Sequence, residues 1–192
     1  MQFRFCALSS LSKTRILETY NKLSATQTEY LNRLNVKGKK QSLAVRTLLD
    51  IMLNDLHPSY NIAELSADEK GRPFLTGSKL FLSFSHSEEM VGCVLSEKPV
   101  GIDVQKIKSV SMNLKKRVCT KEELSFIEEN GDDNFFIIWS LKESYIKATG
   151  TAFADAVRFS FVRDGKINCD NALFFAEYGF SDEYAWSTLK IK

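Results

Sequence analysis

The chain has 192 residues, 44% of them hydrophobic, and its 26 basic and 24 acidic residues leave a formal net charge of +2. These values exclude a disordered chain and an overall basic field of the kind that binds nucleic acid. Four cysteines without a CxxC pair argue against a structural zinc site. Because no apolar run is long enough to span a membrane and the first residues do not form a secretion signal, we expect a soluble, cytoplasmic protein.

The first hundred residues contain predicted helices between predicted strands. Helical spacing of apolar residues begins at about Thr26 and is interrupted at Gly38. A longer helix with a wide apolar stripe then runs from about Lys40 to Asn54. A polar segment rich in Ser and Thr separates the first strand from Thr26. The predicted strands of this part are residues 3–8, 80–85 and 90–95.

The layout divides the chain into two predicted halves, residues 1–98 and 99–192. Thr120 and Glu123 have the spacing of a capping box at a helix start, and Asp164-Gly165 is typical of a hairpin turn. The predicted elements of the second half are a strand at 100–104, helices at 111–118, 120–129 and 134–149, and strands at 157–163, 172–178 and 184–191. Helix followed by strands in each half predicts an α+β fold.

A cluster of hydroxyls and an imidazole ends the strand at 80–85. Ser85-His86-Ser87 can donate several hydrogen bonds to phosphate oxygens. The alternative is an ordinary strand end whose polar side chains satisfy backbone groups of the following loop. On local grounds alone, the sequence favours that alternative.

The strand at 100–104 belongs to the segment Gly101-Ile102-Asp103-Val104-Gln105. Side chains alternate along a strand, so Asp103 and Gln105 project to one face. Two oxygen-bearing side chains after a glycine that admits a neighbouring group suit a hard cation such as magnesium. Taken alone, the five residues fit better a half-buried strand with a solvated polar face.

The helix at 134–149 carries Trp139, Glu143 and Lys147 at steps of four, which places them on one face. An exposed Glu–Lys pair at this spacing contributes only about 0.2–0.5 kcal/mol and is the alternative interpretation. The apolar surroundings predict that Glu143 is not freely exposed, and a buried carboxylate requires a metal or a cation. We expect Trp139 to pack and orient Glu143, and Lys142 to add phosphate or surface contacts.

Taken in order, these segments resemble the motif set of the Sfp-type 4′-phosphopantetheinyl transferases. That family has a Gly-basic-Pro turn, a strand ending in Ser-His-Ser, a Gly-Ile-Asp strand and the helix motif Trp-x-x-Lys-Glu-Ser-x-x-Lys-x-x-Gly. The corresponding segments here are Gly71-Arg72-Pro73, Ser85-His86-Ser87, Gly101-Ile102-Asp103 and Trp139 to Gly150. The resemblance covers roughly residues 37–163, and its last motif is highly specific.

The resemblance implies a pseudo-dimer of two similar α+β halves with the active site in the cleft between them. It implies a magnesium-dependent enzyme, acting as a monomer, that transfers the 4′-phosphopantetheine group of coenzyme A to a serine of an apo acyl or peptidyl carrier protein and releases 3′,5′-ADP. The implied catalytic residues are Asp103 and Glu143, which would hold the metal, and Lys147 beside the reacting phosphate. The implied contacts to coenzyme A come from Lys37, Lys40, Arg72, Ser85, His86 and Lys147.

Gln105 departs from the family pattern, because many members have an acidic third metal ligand at this position. Its neutral amide can offer a carbonyl oxygen or hold a metal-bound water. We therefore predict magnesium held by two carboxylates, with weaker metal binding. The base that takes the serine proton is either Glu143 or a metal-bound water, and the sequence leaves both open.

The segment 112–118 combines apolar and basic residues. We expect Met112, Lys115 and Lys116 to dock the acidic carrier protein, with a plain amphipathic helix as the alternative. Lys37 and Lys40 have a similar alternative, a solvated run of charge.

Two other functions compete with the transferase. A coenzyme A-binding module without catalysis is suggested by Gln105 and opposed by the retained Asp103, Glu143 and Lys147. A nucleic-acid binder lacks aromatic residues interleaved with the basic runs. We therefore expect no nucleic-acid or membrane partner.

Overall fold

The computed structural model describes residues 1–192 and contains two main antiparallel sheets, each packed against one long helix. The helices are α1 (Lys13–Lys22), α2 (Ala25–Arg33), α3 (Val36–Leu56), α4 (Met112–Val118), α5 (Lys121–Asn130), α6 (Asn134–Thr149) and α7 (Phe153–Ala156), with 3₁₀ turns at Leu8–Ser10 and Ile62–Glu64. The strands are β1 (Gln2–Ala7), β2 (Leu65–Ala67), β3 (Pro73–Leu75), β4 (Phe81–Ser87), β5 (Met90–Ser96), β6 (Val100–Lys106), β7 (Val162–Arg163), β8 (Lys166–Ile167), β9 (Phe174–Ser181) and β10 (Tyr184–Ile191). This content confirms the predicted α+β class.

The first sheet has five strands in the order β1-β5-β4-β3-β2. Strand β5, which lies between β1 and β4, is buried along its whole length and is nearly continuous in apolar residues, as expected for a strand covered on both faces. Helix α3 packs on this sheet through residues such as Leu49 and Met52, which share a core cluster with Val91 and Leu95. Burial of this apolar surface is the main force that holds α3 to the sheet.

The prediction for the first sixty residues is wrong in two places. The polar segment after β1 contains α1, because Asp50, buried on α3, accepts hydrogen bonds from Thr19 at 3.1 Å and from Lys22 at 2.9 Å. Gly38 lies inside α3 instead of interrupting a helix, and its N–H donates to the Oδ1 of the N-cap residue Asn35 at 2.8 Å. Tertiary contacts and capping therefore decide these helices more than propensity does.

The second sheet has the order β6-β10-β9, and α6 packs across it. Fully buried Phe135, Phe161 and Phe174 form the centre of its core. The predicted helices agree with α4, α5 and α6, but the predicted strand at 157–163 is wrong, because only its last two residues form a strand. Asp164-Gly165 joins β7 to β8 with φ angles of 52° and 68°, which confirms the predicted hairpin turn. None of the helices combines the length and apolar character that a membrane crossing requires.

The two sheets meet where β4 and β5 contact β6. On the other side of β6, helix α6 approaches so closely that a Cβ atom added at Gly101 would lie 1.9 Å from the carbonyl oxygen of Ser144. Only glycine permits this approach. It brings the segment around Asp103 against the middle of α6.

Candidate active site

Asp103 is the centre of the site, on β6, with 3% of its surface exposed. Its Oδ1 accepts hydrogen bonds from the hydroxyl of Ser85 at 2.9 Å and from the Nζ of Lys147 at 2.7 Å. Its Oδ2 accepts one from the Nε2 of Gln105 at 2.7 Å. Both oxygens of this buried carboxylate are therefore compensated by donors from three different positions.

Helix α6 brings the second carboxylate and the lysine to Asp103. The Nζ of Lys147 also donates to the carbonyl oxygen of Ile102 at 2.9 Å, which ties α6 to β6. Half-buried Glu143 lies one turn earlier on the same face, and burial is the first cause that raises the pKa of its carboxyl group. The negative charge of Asp103 raises this pKa further, and Lys147 partly offsets the effect. Two carboxylates that repel each other beside one lysine are a place where an additional cation is stabilised.

The start and the end of the helix motif have structural roles. Trp139 packs against Phe135 and Phe153, with ring centroids 5.7 and 6.2 Å away, which agrees with its predicted packing role. Gly150 ends α6 in the left-handed conformation with φ 72°. A Cβ there would lie 2.0 Å from an Nη atom of Arg72, so glycine also makes room for the guanidinium of the Gly-Arg-Pro turn.

A cavity of about 1000 Å³ opens beside this cluster, and Asp103, Lys147 and His86 form one end of its lining. A second cavity, of about 920 Å³, is lined by residues of both halves, including Arg72 and Gly150. Lys147 borders both cavities. A ligand with charge at several points could therefore contact both halves while it touches the cluster.

His86, an exposed residue, also lines the first cavity. Its pKa is lowered, first by desolvation and then by the positive charge of Lys147. Neutral imidazole is therefore favoured near neutral pH, and it can donate one hydrogen bond to a phosphate oxygen.

The residues around Asp103 fit a hard divalent cation with few protein ligands. Carboxylate oxygens are what magnesium prefers, and Asp103 and Glu143 supply them from two elements that are packed together. No group of three or more His, Cys, Asp or Glu residues is arranged as a metal site. The Nε2 of Gln105 already binds Asp103, so only its amide oxygen is left to face a cation.

Three of the predicted binding residues are engaged with protein groups instead of being free. Lys37 pairs with Glu88 at 2.7 Å and Lys40 with Glu89 at 3.0 Å, both at the surface. The hydroxyl of Ser85, predicted to hold a phosphate, is only 6% exposed as a residue and donates its proton to Asp103. In this structure the single proton of the hydroxyl is donated to Asp103 and is not available to a phosphate.

The predicted docking segment is also corrected at one position. Lys115 is 5% exposed, and its Nζ lies 2.5 Å from a carboxylate oxygen of Asp132. A buried, paired lysine cannot present its charge to a carrier protein. Met112 and Lys116 are exposed on the same helix.

Lys142, predicted to contact phosphate or the surface, is sealed in the core with 1% of its side chain exposed. Its Nζ lies 2.9 Å from the fully buried carboxylate of Glu123 and donates to the carbonyl oxygen of Phe159 at 2.7 Å. Glu123 closes the predicted capping box with Thr120 and also accepts from the N–H of Phe161 at 2.8 Å. The prediction for Lys142 is wrong, because its partner lies on another helix.

Arg46, a mostly buried arginine on α3, lines the first cavity and was not predicted from the sequence. Its guanidinium carbon lies 5.2 Å from the ring centroid of Tyr30, and its Nη1 donates to Ser42. Its Nε has no hydrogen-bond partner, and burial is the main cause that lowers its pKa. An arginine beside the apolar stripe of a long helix is the signal in the sequence that could have found it.

Comparisons with known proteins agree with this geometry. The model of the 4′-phosphopantetheinyl transferase superfamily matches residues 99–189, which include β6 and α6. The 4′-phosphopantetheinyl transferase gsp of Aneurinibacillus migulanus is 32% identical over 132 residues, which cover 65% of this chain and 54% of that protein.

Two further relatives carry the same activity in their names. The 4′-phosphopantetheinyl transferase Sfp of Bacillus subtilis (strain 168) is 30% identical over 113 residues, covering 55% of this chain and 50% of that protein. The 4′-phosphopantetheinyl transferase HetI of Nostoc sp. is 30% identical over 98 residues, covering 45% of this chain and 41% of that protein. The chain spans about half the length of the curated relatives it matches. The matched β6–α6 region and these relatives show that residues 99–189 are similar to the 4′-phosphopantetheinyl transferase superfamily.

Proposed function

We propose that the chain is an enzyme that transfers the 4′-phosphopantetheine group of coenzyme A to a serine of an apo acyl or peptidyl carrier protein. The observation that carries this proposal is the cluster of Asp103, Glu143 and Lys147 beside a cavity large enough for a nucleotide. Its relatives gsp and Sfp are named for this activity. A cluster with two carboxylates and a lysine suits a reaction whose barrier is mainly charge and alignment.

In the proposed reaction the carrier serine oxygen forms a bond to the β-phosphorus of coenzyme A. The bond from that phosphorus to the bridging oxygen breaks, and 3′,5′-ADP leaves. The serine proton passes to a base, and half-buried Glu143, on the same face of α6 as Lys147, is our candidate. Lys147 lies beside the developing charge on the phosphate oxygens, within reach of both cavities.

We propose that magnesium is held by Asp103 and Glu143, with the amide oxygen of Gln105 as a weaker or indirect ligand. When bound, the cation offsets negative charge on the pyrophosphate and polarises its phosphorus. Lys147 supplies a fixed positive charge on the protein side, paired with Asp103. Because only two carboxylates contribute, we expect half-maximal activity to need a higher Mg²⁺ concentration than a site with three carboxylates would need.

The coenzyme A molecule is proposed to place its pyrophosphate near His86 and Lys147, and its adenosine end near Arg72. Arg46 is a further candidate for a phosphate of coenzyme A, because its Nε has no partner and its guanidinium faces the same cavity. Lys37 and Lys40 could take part only after leaving Glu88 and Glu89, so we assign them a weaker, surface contribution.

We propose that residues 1–98 and 99–192 are two similar halves of a pseudo-dimer with the active site in the cleft between them. The support is that each half folds an antiparallel sheet against one long helix, α3 or α6. Because one chain carries both sheets, we also propose a monomer. Four unpaired cysteines fit a reducing compartment such as the cytoplasm.

Carrier docking is proposed for the exposed part of α4, at Met112 and Lys116. The acidic carrier would be attracted by Lys116, and Met112 would supply apolar contact. Lys116→Glu should raise the KM for the carrier and leave the KM for coenzyme A unchanged. A change confined to the KM for coenzyme A would contradict the proposed role of this surface in carrier docking.

The proposed function is tested by incubating the protein with coenzyme A, Mg²⁺ and several apo carriers. We expect the intact mass of a carrier to rise by one phosphopantetheine group, with equimolar release of 3′,5′-ADP. A carrier with Ser→Ala at its acceptor position is the matched control. Calorimetric binding of coenzyme A without any mass gain would favour the binding module, and absence of both would reject the proposal.

A further inference from the structure

The outer edge of β6 is covered by side chains instead of by another strand. In its own sheet, β6 pairs only with β10. Toward the first sheet, the N–H of Val104 donates to the Oγ of Ser85 at 3.1 Å, and the N–H of Lys106 donates to the Oγ of Ser87 at 3.0 Å. These hydroxyls satisfy backbone donors that would otherwise be left at an unpaired strand edge.

The spacing of the two serines explains this arrangement. Ser85 and Ser87 are two positions apart on β4, so both side chains project to the same side of the strand. Each bonds a backbone N–H that lies 19 positions further along the chain. The constant offset means that β4 and β6 lie in one fixed register. The two hydroxyls thus align the first sheet with the second.

Ser85 differs from Ser87 in one additional hydrogen bond. Its oxygen accepts from the N–H of Val104, and its single proton donates to the Oδ1 of Asp103 at 2.9 Å. One oxygen of Asp103 is thus fixed from the first sheet by Ser85, and the other from β6 itself by Gln105. Ser87 makes only the backbone contact.

We propose that Ser85 is a positioning residue: its hydroxyl holds the carboxylate of Asp103 in one orientation while it locks the two sheets in register. Its functional consequence rests on the proposed function, in which Asp103 holds the metal. Groups that orient a metal ligand in this way typically contribute about 10–100-fold to metal affinity or activity when they are removed. Ser87, two residues further along β4, contributes only to the register between β4 and β6.

The two serines form a matched pair of variants. Ser85→Ala and Ser87→Ala each remove one acceptor of a β6 N–H, so both should lower the melting temperature by about 2–6 °C, with the larger loss in Ser85→Ala because it also removes the donor to Asp103. Mn²⁺, an ion that electron paramagnetic resonance detects, is titrated into each protein in the presence of coenzyme A, and its dissociation constant is measured. We expect Ser85→Ala to weaken Mn²⁺ binding about 10-fold, and Ser87→Ala to stay within about twofold of the wild type.

Equal Mn²⁺ affinity in Ser85→Ala and the wild type would overturn the role of Ser85. Equal weakening in both variants would also overturn it, because a general loosening of the sheets would then explain the loss. So would a wild-type protein that binds no Mn²⁺ with coenzyme A present. If Ser85→Ala does not fold, Ser85→Cys keeps the volume with a weaker donor and is judged by the same comparison.

Transfer to a carrier is measured on the same wild-type preparation. Absence of transfer would count against the proposed function, whereas the Mn²⁺ comparison decides the role of Ser85 by itself. The two failures are therefore distinguishable.

Discussion

Helix α6 carries two lysines that each pair with a carboxylate, and the two pairs differ in their access to solvent. Lys142 and Glu123 are sealed, with side chains 1% and 0% exposed, whereas Lys147 is 29% exposed and reaches Asp103 at the wall of two cavities. The sealed pair also closes a capping box and binds the backbone of the segment after α7. The open pair has Glu143 and His86 as neighbours.

Residue type and spacing therefore do not distinguish a lysine sealed in the core from one that borders a cavity. Both lysines belong to the same motif, five residues apart. What separates them is access to solvent and whether a second carboxylate lies nearby. The carboxylate oxygens of Glu123 accept hydrogen bonds from backbone N–H groups and pair with Lys142. The open pair, Lys147 and Asp103, instead lies beside a second carboxylate, that of Glu143.

The largest expected effect is on catalysis by the open pair. Asp103→Asn keeps the shape but removes the charge, so we expect the rate of transfer to fall about 1000-fold, a barrier increase of about 4 kcal/mol. The thermal unfolding midpoint should change far less than in a variant of the sealed pair. Single-turnover transfer to an apo carrier measures the first quantity and calorimetry the second. A variant that retains a tenth of the wild-type rate would remove Asp103 from the chemistry.

Lys142→Met tests the sealed pair. It leaves the charge of Glu123 buried and unpaired, so we expect the free energy of unfolding to fall by about 3–5 kcal/mol. Lys147→Met is the matched control, and its loss should be smaller because Lys147 is partly solvated. Denaturant unfolding of the three proteins gives both values.

Adding Glu123→Gln to Lys142→Met should recover part of the lost stability, because the neutral amide oxygen can still accept from Phe161. A double variant as unstable as the sum of the single variants would show that the two residues do not act as a pair.

Gln105→Glu adds a negative charge beside the open pair of Asp103 and Lys147. The new carboxylate can no longer donate to Asp103 but offers the cation a charged ligand, so the Mg²⁺ concentration for half activity should fall about 3–10-fold. Without metal, the added charge should lower the melting temperature. An unchanged or raised Mg²⁺ requirement would contradict a two-carboxylate site that is short of one ligand.

Glu143→Gln has the smallest expected effect on stability, and the size of this effect depends on pH. The folded-state pKa of Glu143 is raised, so this residue costs no stability while it is protonated and lowers stability as pH rises through that pKa. In EDTA at about pH 7.5, Glu143→Gln should therefore melt roughly 1–3 °C higher than the wild type, and the gain should vanish near pH 4. A gain that is equal at both pH values would show that charge is not its cause.

Local signals in the sequence predicted much of the second half. The bounds of α4, α5 and α6 follow from caps and periodicity within a few residues, and the capping box at Thr120 is present. The first half was less predictable because α1 depends on Asp50, which lies on another helix. The partial burial of Glu143 agrees with the prediction that it is not freely exposed.

The roles of polar motif residues were harder to predict than their presence. The partners of Ser85 and Lys142 lie 18 and 19 positions away on other elements, so no local pattern reveals that these side chains are buried and engaged. Lys115 was misjudged for the same reason, since Asp132 covers it from beyond the next helix. Long-range pairing, and not residue type, decides which motif side chains remain open to a ligand.

The most direct test of the account compares the two lysines in one assay. An apo carrier is incubated with coenzyme A, Mg²⁺ and either the wild type, Lys142→Met or Lys147→Ala, at a temperature at which all three are folded by circular dichroism. The account predicts that the wild type and Lys142→Met add phosphopantetheine to the carrier, as seen by intact mass, and that Lys147→Ala does so at least about 100-fold more slowly. Equal transfer by Lys147→Ala and the wild type, or no transfer by the wild type to any carrier, would contradict it.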